Sequence, residues 1–147
     1  MISLDTNVLV YAYQSAEPEK QAVAMDHLRR IIAGDSVIGG QVLSEFLNTA
    51  HRKRLIGLDL ARQTCQLLCA ELIVCEQIFS DRLAASDLAE VRQIQFYNAL
   101  LISTLARAGV DTLLSEDMTD GDIYAGVKVL NPFNPANRNR IEAALRE

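Results

Sequence analysis

The chain has 147 residues, 50% of them hydrophobic and 22% charged, and its 14 Lys plus Arg against 19 Asp plus Glu leave a net charge of −5. That much apolar material excludes intrinsic disorder, and a chain of this length folded as one domain buries about two-thirds of its unfolded surface. The acidic balance argues against a sequence-independent coat on nucleic acid, which needs positive charge. It leaves open an enzyme that gathers carboxylates in one pocket and recruits metal ions to reverse the local sign.

Along the chain, the apolar run 2–4 predicts a strand, 5–7 a polar turn and 8–12 a brief helix. The opening residues lack a basic stretch, so no secretory signal is expected. No run approaches the roughly 20 apolar residues of a membrane span, so a cytoplasmic location with no membrane partner is expected. Pro18 suits the first turn of a helix running to about Ala33, where Gly34 stops it. Residues 36–39 predict a second strand. Residues 41–54 predict an amphipathic helix with Val42, Leu43, Phe46, Leu47 and Ala50 on one stripe. Past Gly57 come a helix over 58–71 and a strand over 72–75. The polar stretch 80–92 has helical period, and a nearly all-apolar helix over 95–108 ends at Gly109. Strands over 111–115 and 127–130 follow, then the rigid connector 131–135 and a last short helix ending near Arg146. Alternating strands and helices predict one α/β domain over 1–147 with a mainly parallel central sheet.

Ligands in such sheets bind beyond the carboxyl ends of the strands. Asp5 directly follows the first strand, although an Asp there also caps a helix well. Residues 115–121 place Glu116, Asp117 and Asp120 after a later strand, where a solvated turn is the plain alternative. Glu45 lies about 130° from the centre of its helix's apolar stripe, so it is not core. Asn98, on the apolar helix, is expected to be buried and must find partners or cost about 1–3 kcal/mol. Cys65, Cys69 and Cys75 match no disulfide framework and read as reduced thiols in apolar packing. His27 and His51 stand away from them, which disfavours zinc. Oxygen donors without nearby Cys or His favour Mg²⁺ or Mn²⁺. Positive charge for a substrate is sought in Arg52-Lys53-Arg54 at the end of the Glu45 helix, Arg52 first because it shares Glu45's face, although basic residues there also suit the helix dipole.

The segment Ile2-Ser3-Leu4-Asp5-Thr6-Asn7-Val8-Leu9 resembles the opening motif of the PIN-domain nucleases, and Leu43-Ser44-Glu45-Phe46 resembles their second acidic position. Their C-terminal half is resembled by 96–101 and 108–117, and the closing 127–133 is similar to the bacterial VapC-type toxin branch. The resemblance covers nearly the whole chain and implies a three-layer α/β/α PIN-like fold. It further implies a Mg²⁺- or Mn²⁺-dependent endoribonuclease neutralised by a cognate antitoxin. Asp5, Glu45 and Asp117 match the family's acidic positions, and Asp120 matches a further acid near them. Thr6 or Asn7 would order Asp5 and the attacking water. Asn98 stands where the family has an aspartate, so a full nuclease and a weakened or silent module that binds RNA or protein both follow from the resemblance. Apolar residues on the N-terminal helices (Val23, Leu28, Ile31, Ile32) and on 58–72 suggest a homodimer face or an antitoxin groove, with ordinary packing as the alternative.

Overall fold

The computed structural model describes residues 1–146. Strand β1 (Ile2–Leu4) leads into α1 (Thr6–Tyr13), α2 (Pro18–Ala33), β2 (Val37–Gly39), α3 (Gly40–Lys53), α4 (Leu58–Glu71) and β3 (Ile73–Cys75). The second half runs α5 (Phe79–Arg92), α6 (Phe96–Arg107), β4 (Thr112–Leu114), β5 (Ile123–Tyr124), β6 (Val127–Leu130), a 3-10 turn (Pro135–Asn137) and α7 (Arg138–Ala144). The architecture is α/β with a mainly parallel central sheet, as expected.

That sheet has the order β1-β4-β6-β5. Strand β1 pairs parallel with β4 (Leu4 opposite Leu114), and β4 pairs parallel with β6 (Leu114 opposite Leu130). The expected strands all form, but β2 and β3 make their own parallel ladder, and β2 packs beside β1 without joining it. Strand β5, which composition did not announce, pairs antiparallel with β6 through the turn at Ala125 and Gly126. Two residues are too few to show the alternation that marks a strand.

Every residue of β1, β2 and β4 is buried, as parallel strands covered on both faces require. Helix α6 is buried continuously from Ala99 to Leu105 and packs on β2 and β6. The approach on β2 is close: a Cβ at Gly39 would stand 2.8 Å from Leu101 Cδ1. Leu28 and Ile31 of α2 belong to the core, so they are spent on folding rather than on a partner surface. Cys65 and Cys75 are buried free thiols, and Cys69 is an exposed one. No helix among the described residues is long and apolar enough to cross a membrane.

Ion pairs tie the outer helices to this core. Arg107 of α6 grips the buried Asp81 of α5 with two nitrogens, at 2.8 and 2.9 Å, and this contact holds the Asp81 carboxyl below its ordinary range. Arg30 of α2 binds Glu142 of α7 in the same forked manner.

Phe46, the largest fully buried side chain, sits on α3 directly after Glu45 and seats that helix in the core. Phe46→Ala is expected to lower unfolding free energy by about 3–5 kcal/mol in urea titrations. A loss under about 1 kcal/mol would mean that α3 is seated by other contacts.

Candidate active site

The parallel register sets the site. Leu4 and Leu114 are partners, so the next residues, Asp5 and Ser115, emerge side by side at the carboxyl edge. The backbone stitches continue past the strands, from Asp5 N–H to the Leu114 carbonyl (2.9 Å) and from Ser115 N–H to the Leu130 carbonyl (3.1 Å). Ser115 Oγ donates to Asp5 Oδ2 at 2.8 Å. Asp5 also caps α1, accepting the Thr6 N–H at Oδ1 (2.7 Å), so the capping and the functional readings of this residue coexist.

Thr6 and Asn7, in the first turn of α1, connect Asp5 to the other acids. Thr6 Oγ1 donates to Glu45 Oε2 at 2.8 Å. Asn7 Nδ2 lies 2.8 Å from Asp117 Oδ2 and 3.3 Å from Asp5 Oδ2, and Asn7 Oδ1 accepts the Glu116 N–H at 3.2 Å. One side chain therefore contacts both ends of the edge. The Asp117 N–H in turn donates to Ser115 Oγ at 3.2 Å.

Burial pushes the Asp5 carboxyl up to about 6. Hydrogen bonds from Ser115 and Thr6 pull the other way, while the charges of Asp117 and Glu45 add to the rise. Among the described residues no Lys or Arg forms an ion pair with Asp5, Glu45 or Asp117. Glu45 and Asp117 line a groove of about 480 Å³ together with Thr6, Asn7, Tyr11 and Lys53, and Asp5 lies buried behind Thr6 and Asn7. Of the expected basic cluster 52–54 it is Lys53 that lines the groove, whereas Arg52, about 100° away around the helix, does not.

The other predicted residues sit elsewhere. Asn98 is half-buried rather than enclosed, because the first turn of α6 lies at the rim of the molecule with Phe96 and Tyr97 exposed. Its neighbour Tyr97 nevertheless touches the site: Gln41 Nε2 spans from the Tyr97 carbonyl to Glu45 Oε1, both at 2.9 Å. Asp120 is not brought to the cluster. It accepts from the Asn131 N–H (2.9 Å), Asn134 Nδ2 (2.7 Å) and Asn137 Nδ2 (2.7 Å), which fastens the connector after β6. Burial opposes its charge, but these donors and Arg140 hold its carboxyl below the ordinary range.

Sequence reasoning passed over Ser115 and Gln41 as participants. The rule that singled out Asp5, first residue beyond a parallel strand, applies equally to Ser115. Gln41 stands one helical turn before Glu45, which is the spacing of contacting side chains.

The donors of this cluster are hard oxygens with no Cys or His among them, and they lack a balancing cation, which fits Mg²⁺ or Mn²⁺ in chemistry. As the side chains lie, no three acidic, His or Cys residues among those described surround a common point. The Asn7 amide and the Thr6 hydroxyl bridge the carboxylates instead.

No protein-family model and no curated protein matches the chain. Among solved structures it is similar to VapBC2 from Rickettsia felis, solved bound to a DNA fragment from their promoter. That similarity has a TM-score of 0.63 and 17% identity, over 89% of this chain and 98% of the other. It is also similar to VapC20 of Mycobacterium tuberculosis, a sarcin-ricin loop cleaving toxin. There the TM-score is 0.59 and the identity 16%, over 87% of this chain and 99% of the other. The chain thus has the PIN-like fold of VapC-type proteins.

The raised Asp5 pKa has a consequence for stability. Between its ordinary value of 3.8 and about 6 the folded chain holds a proton that the unfolded chain has released, so stability falls as pH rises through that window. The full penalty, about 3 kcal/mol, is present above pH 6. Asp5→Asn removes the titration, so the stability of this variant relative to the parent should improve by about 2–3 kcal/mol between pH 4 and pH 7. Urea titrations across that range read the difference directly, and a flat difference would mean that Asp5 ionises as an ordinary carboxylate.

Proposed function

We propose that this chain is a Mg²⁺- or Mn²⁺-dependent endoribonuclease of the VapC toxin type, held in check by a cognate antitoxin. The observation that supports this most is the linking of Asp5, Glu45 and Asp117 through Thr6 and Asn7 beside a groove that Glu45 and Asp117 line, with no basic partner for any of the three among the described residues. An uncompensated carboxylate cluster at the carboxyl edge of a parallel sheet favours a divalent cation. The fold shared with a toxin described as cleaving the sarcin-ricin loop points to RNA as the substrate.

In this reading Asp5, Glu45 and Asp117 hold the metal, and the Asn98 amide oxygen at the rim is a neutral fourth donor. A divalent cation held by these residues would supply an acidified water and stabilisation of the charge that gathers on a phosphodiester. The protein's own part is positional. Ser115 and the Thr6 N–H fix the Asp5 carboxylate, and Gln41 and Thr6 fix the two oxygens of Glu45. Lys53 meets an RNA phosphate across the groove.

The VapBC2 complex supports two further parts of the proposal, an antitoxin partner and promoter DNA bound by the assembled pair. Leu60 and Leu67 of α4, each more than two-fifths exposed, offer apolar surface for a second copy in a homodimer. A cytoplasmic location belongs to the same reading.

A second reading is favoured by Asn98, which removes one negative charge, and by the bridged rather than converged state of the acids. In it the chain is a silent PIN-like module that binds RNA or protein. Incubation of the purified chain with total RNA separates the two. Cleavage with Mg²⁺ or Mn²⁺, abolished by EDTA and reduced about 100-fold or more by Asp5→Ala or Asp117→Ala, is expected. Cleavage that survives both substitutions together would remove the proposed centre, and no cleavage under any metal would favour the silent module.

Asn98→Asp restores the carboxylate at the family's position, next in sequence to Tyr97, whose carbonyl Gln41 links to Glu45, and a Mn²⁺ titration is expected to show roughly tenfold tighter binding. An unchanged titration would place position 98 outside the metal shell.

A further inference from the structure

Glu116 immediately precedes Asp117, and its side chain is held by a cation outside the acidic cluster. Lys20 Nζ of α2 stands 2.7 Å from Glu116 Oε2 and 3.3 Å from the Tyr11 hydroxyl, which itself lies 3.4 Å from Glu116 Oε1. Aromatic rings enclose this triangle. Lys20 Nζ sits 4.6 Å from the Tyr11 ring centroid and 5.0 Å from that of Phe133, and the two rings meet edge to face at 5.1 Å. The Glu116 contact raises the Lys20 pKa, so the ammonium remains charged. Four segments are joined at this point: α1, α2, the loop after β4 and the connector after β6.

The backbone of the same loop is tethered on its other side. The Glu116 N–H donates to Asn7 Oδ1 and the Asp117 N–H donates to Ser115 Oγ. A short loop clamped by a side chain on one flank and by its amides on the other has little freedom to swing. We propose that Lys20 is a positioning residue for Asp117, fixing through Glu116 and the Tyr11–Phe133 wall the loop that aims the Asp117 carboxylate toward Asn7 and Asp5. The pair is about 30% exposed on each side, and a pair so placed contributes little to global stability. Its effect is therefore local. The assignment of Asp117 to a metal centre rests on the nuclease reading, whereas the restraint of the loop does not.

Amide hydrogen exchange reads the restraint directly, because the Glu116 and Asp117 amides are themselves the tethered groups. Lys20→Met and Glu116→Gln are each expected to speed exchange at these two amides about fivefold or more, leaving mid-helix amides such as that of Leu28 unchanged. The double variant should show no more than either single, since both remove one contact. Lys20→Arg should restore slow exchange. Mn²⁺ titration of the same proteins should show affinity falling by a similar factor in Lys20→Met and recovering in Lys20→Arg. Unchanged exchange at both amides in Lys20→Met would overturn the proposal, as would additive loosening in the double variant. Loosened amides in a protein that binds no Mn²⁺ and cuts no RNA would sustain the Lys20 restraint while removing the nuclease reading.

Discussion

The pairing of Leu4 with Leu114 in the parallel β1–β4 ladder decides where Asp5 and Ser115 stand, and the candidate site is arranged around them. Parallel strands in register end abreast, so the residues just past them emerge on the same edge. Asp5 and Ser115 are those residues, and the hydrogen bond between them is made over a sequence separation of 110 residues. A shift of one residue in that ladder would turn Asp5 to the other face and separate it from Ser115. With β1 and β4 buried on both faces, side-chain alternation does not by itself hold this register, and the bonds that continue past the strands, from Asp5 N–H to the Leu114 carbonyl and from Ser115 Oγ to Asp5, help to hold it.

At the same edge a buried carboxylate stands without a cation, whereas several acids elsewhere are paired. Glu116 is paired with Lys20, Asp81 with Arg107 and Glu142 with Arg30. Asp5, Glu45 and Asp117 receive hydrogen bonds instead of cations, and the burial of Asp5 outweighs the bonds that favour its charge. A carboxylate left in this condition costs stability near neutral pH. Perturbed carboxylates without partners cluster at sites of chemistry, since a cation or a substrate completes them. Asn7 is the economical element here: its amide contacts two acids while its carbonyl steadies the loop that bears one of them.

The resemblance read from the motifs and the fold seen in three dimensions agree over most of the chain, yet their residues do not all take the same place. Asp5, Glu45 and Asp117 are linked through Thr6 and Asn7. Asp120 turns instead to three amide donors of the 131–137 connector, and Arg52 yields the groove to Lys53. Both divergences arise from short-range geometry. Three residues of loop redirect one acid, and one step of about 100° around a helix exchanges one cation for another.

Most helices and strands were legible in the chain alone, because apolar periodicity, Pro18 at a first turn and Gly109 past a last one act over a few residues. So was the placing of Asp5 at a strand end. Which partners each acid would have was not legible, since Glu45 meets Thr6 across 39 residues and Asp117 meets Asn7 across 110. Such pairs depend on strand register and helix rotation, which no local pattern encodes. The division of the strands into a four-stranded sheet and a separate β2–β3 pair belongs with them. Chain-local preferences are properties of neighbouring residues, whereas the juxtaposition of distant side chains exists only once the whole core has closed around the sheet.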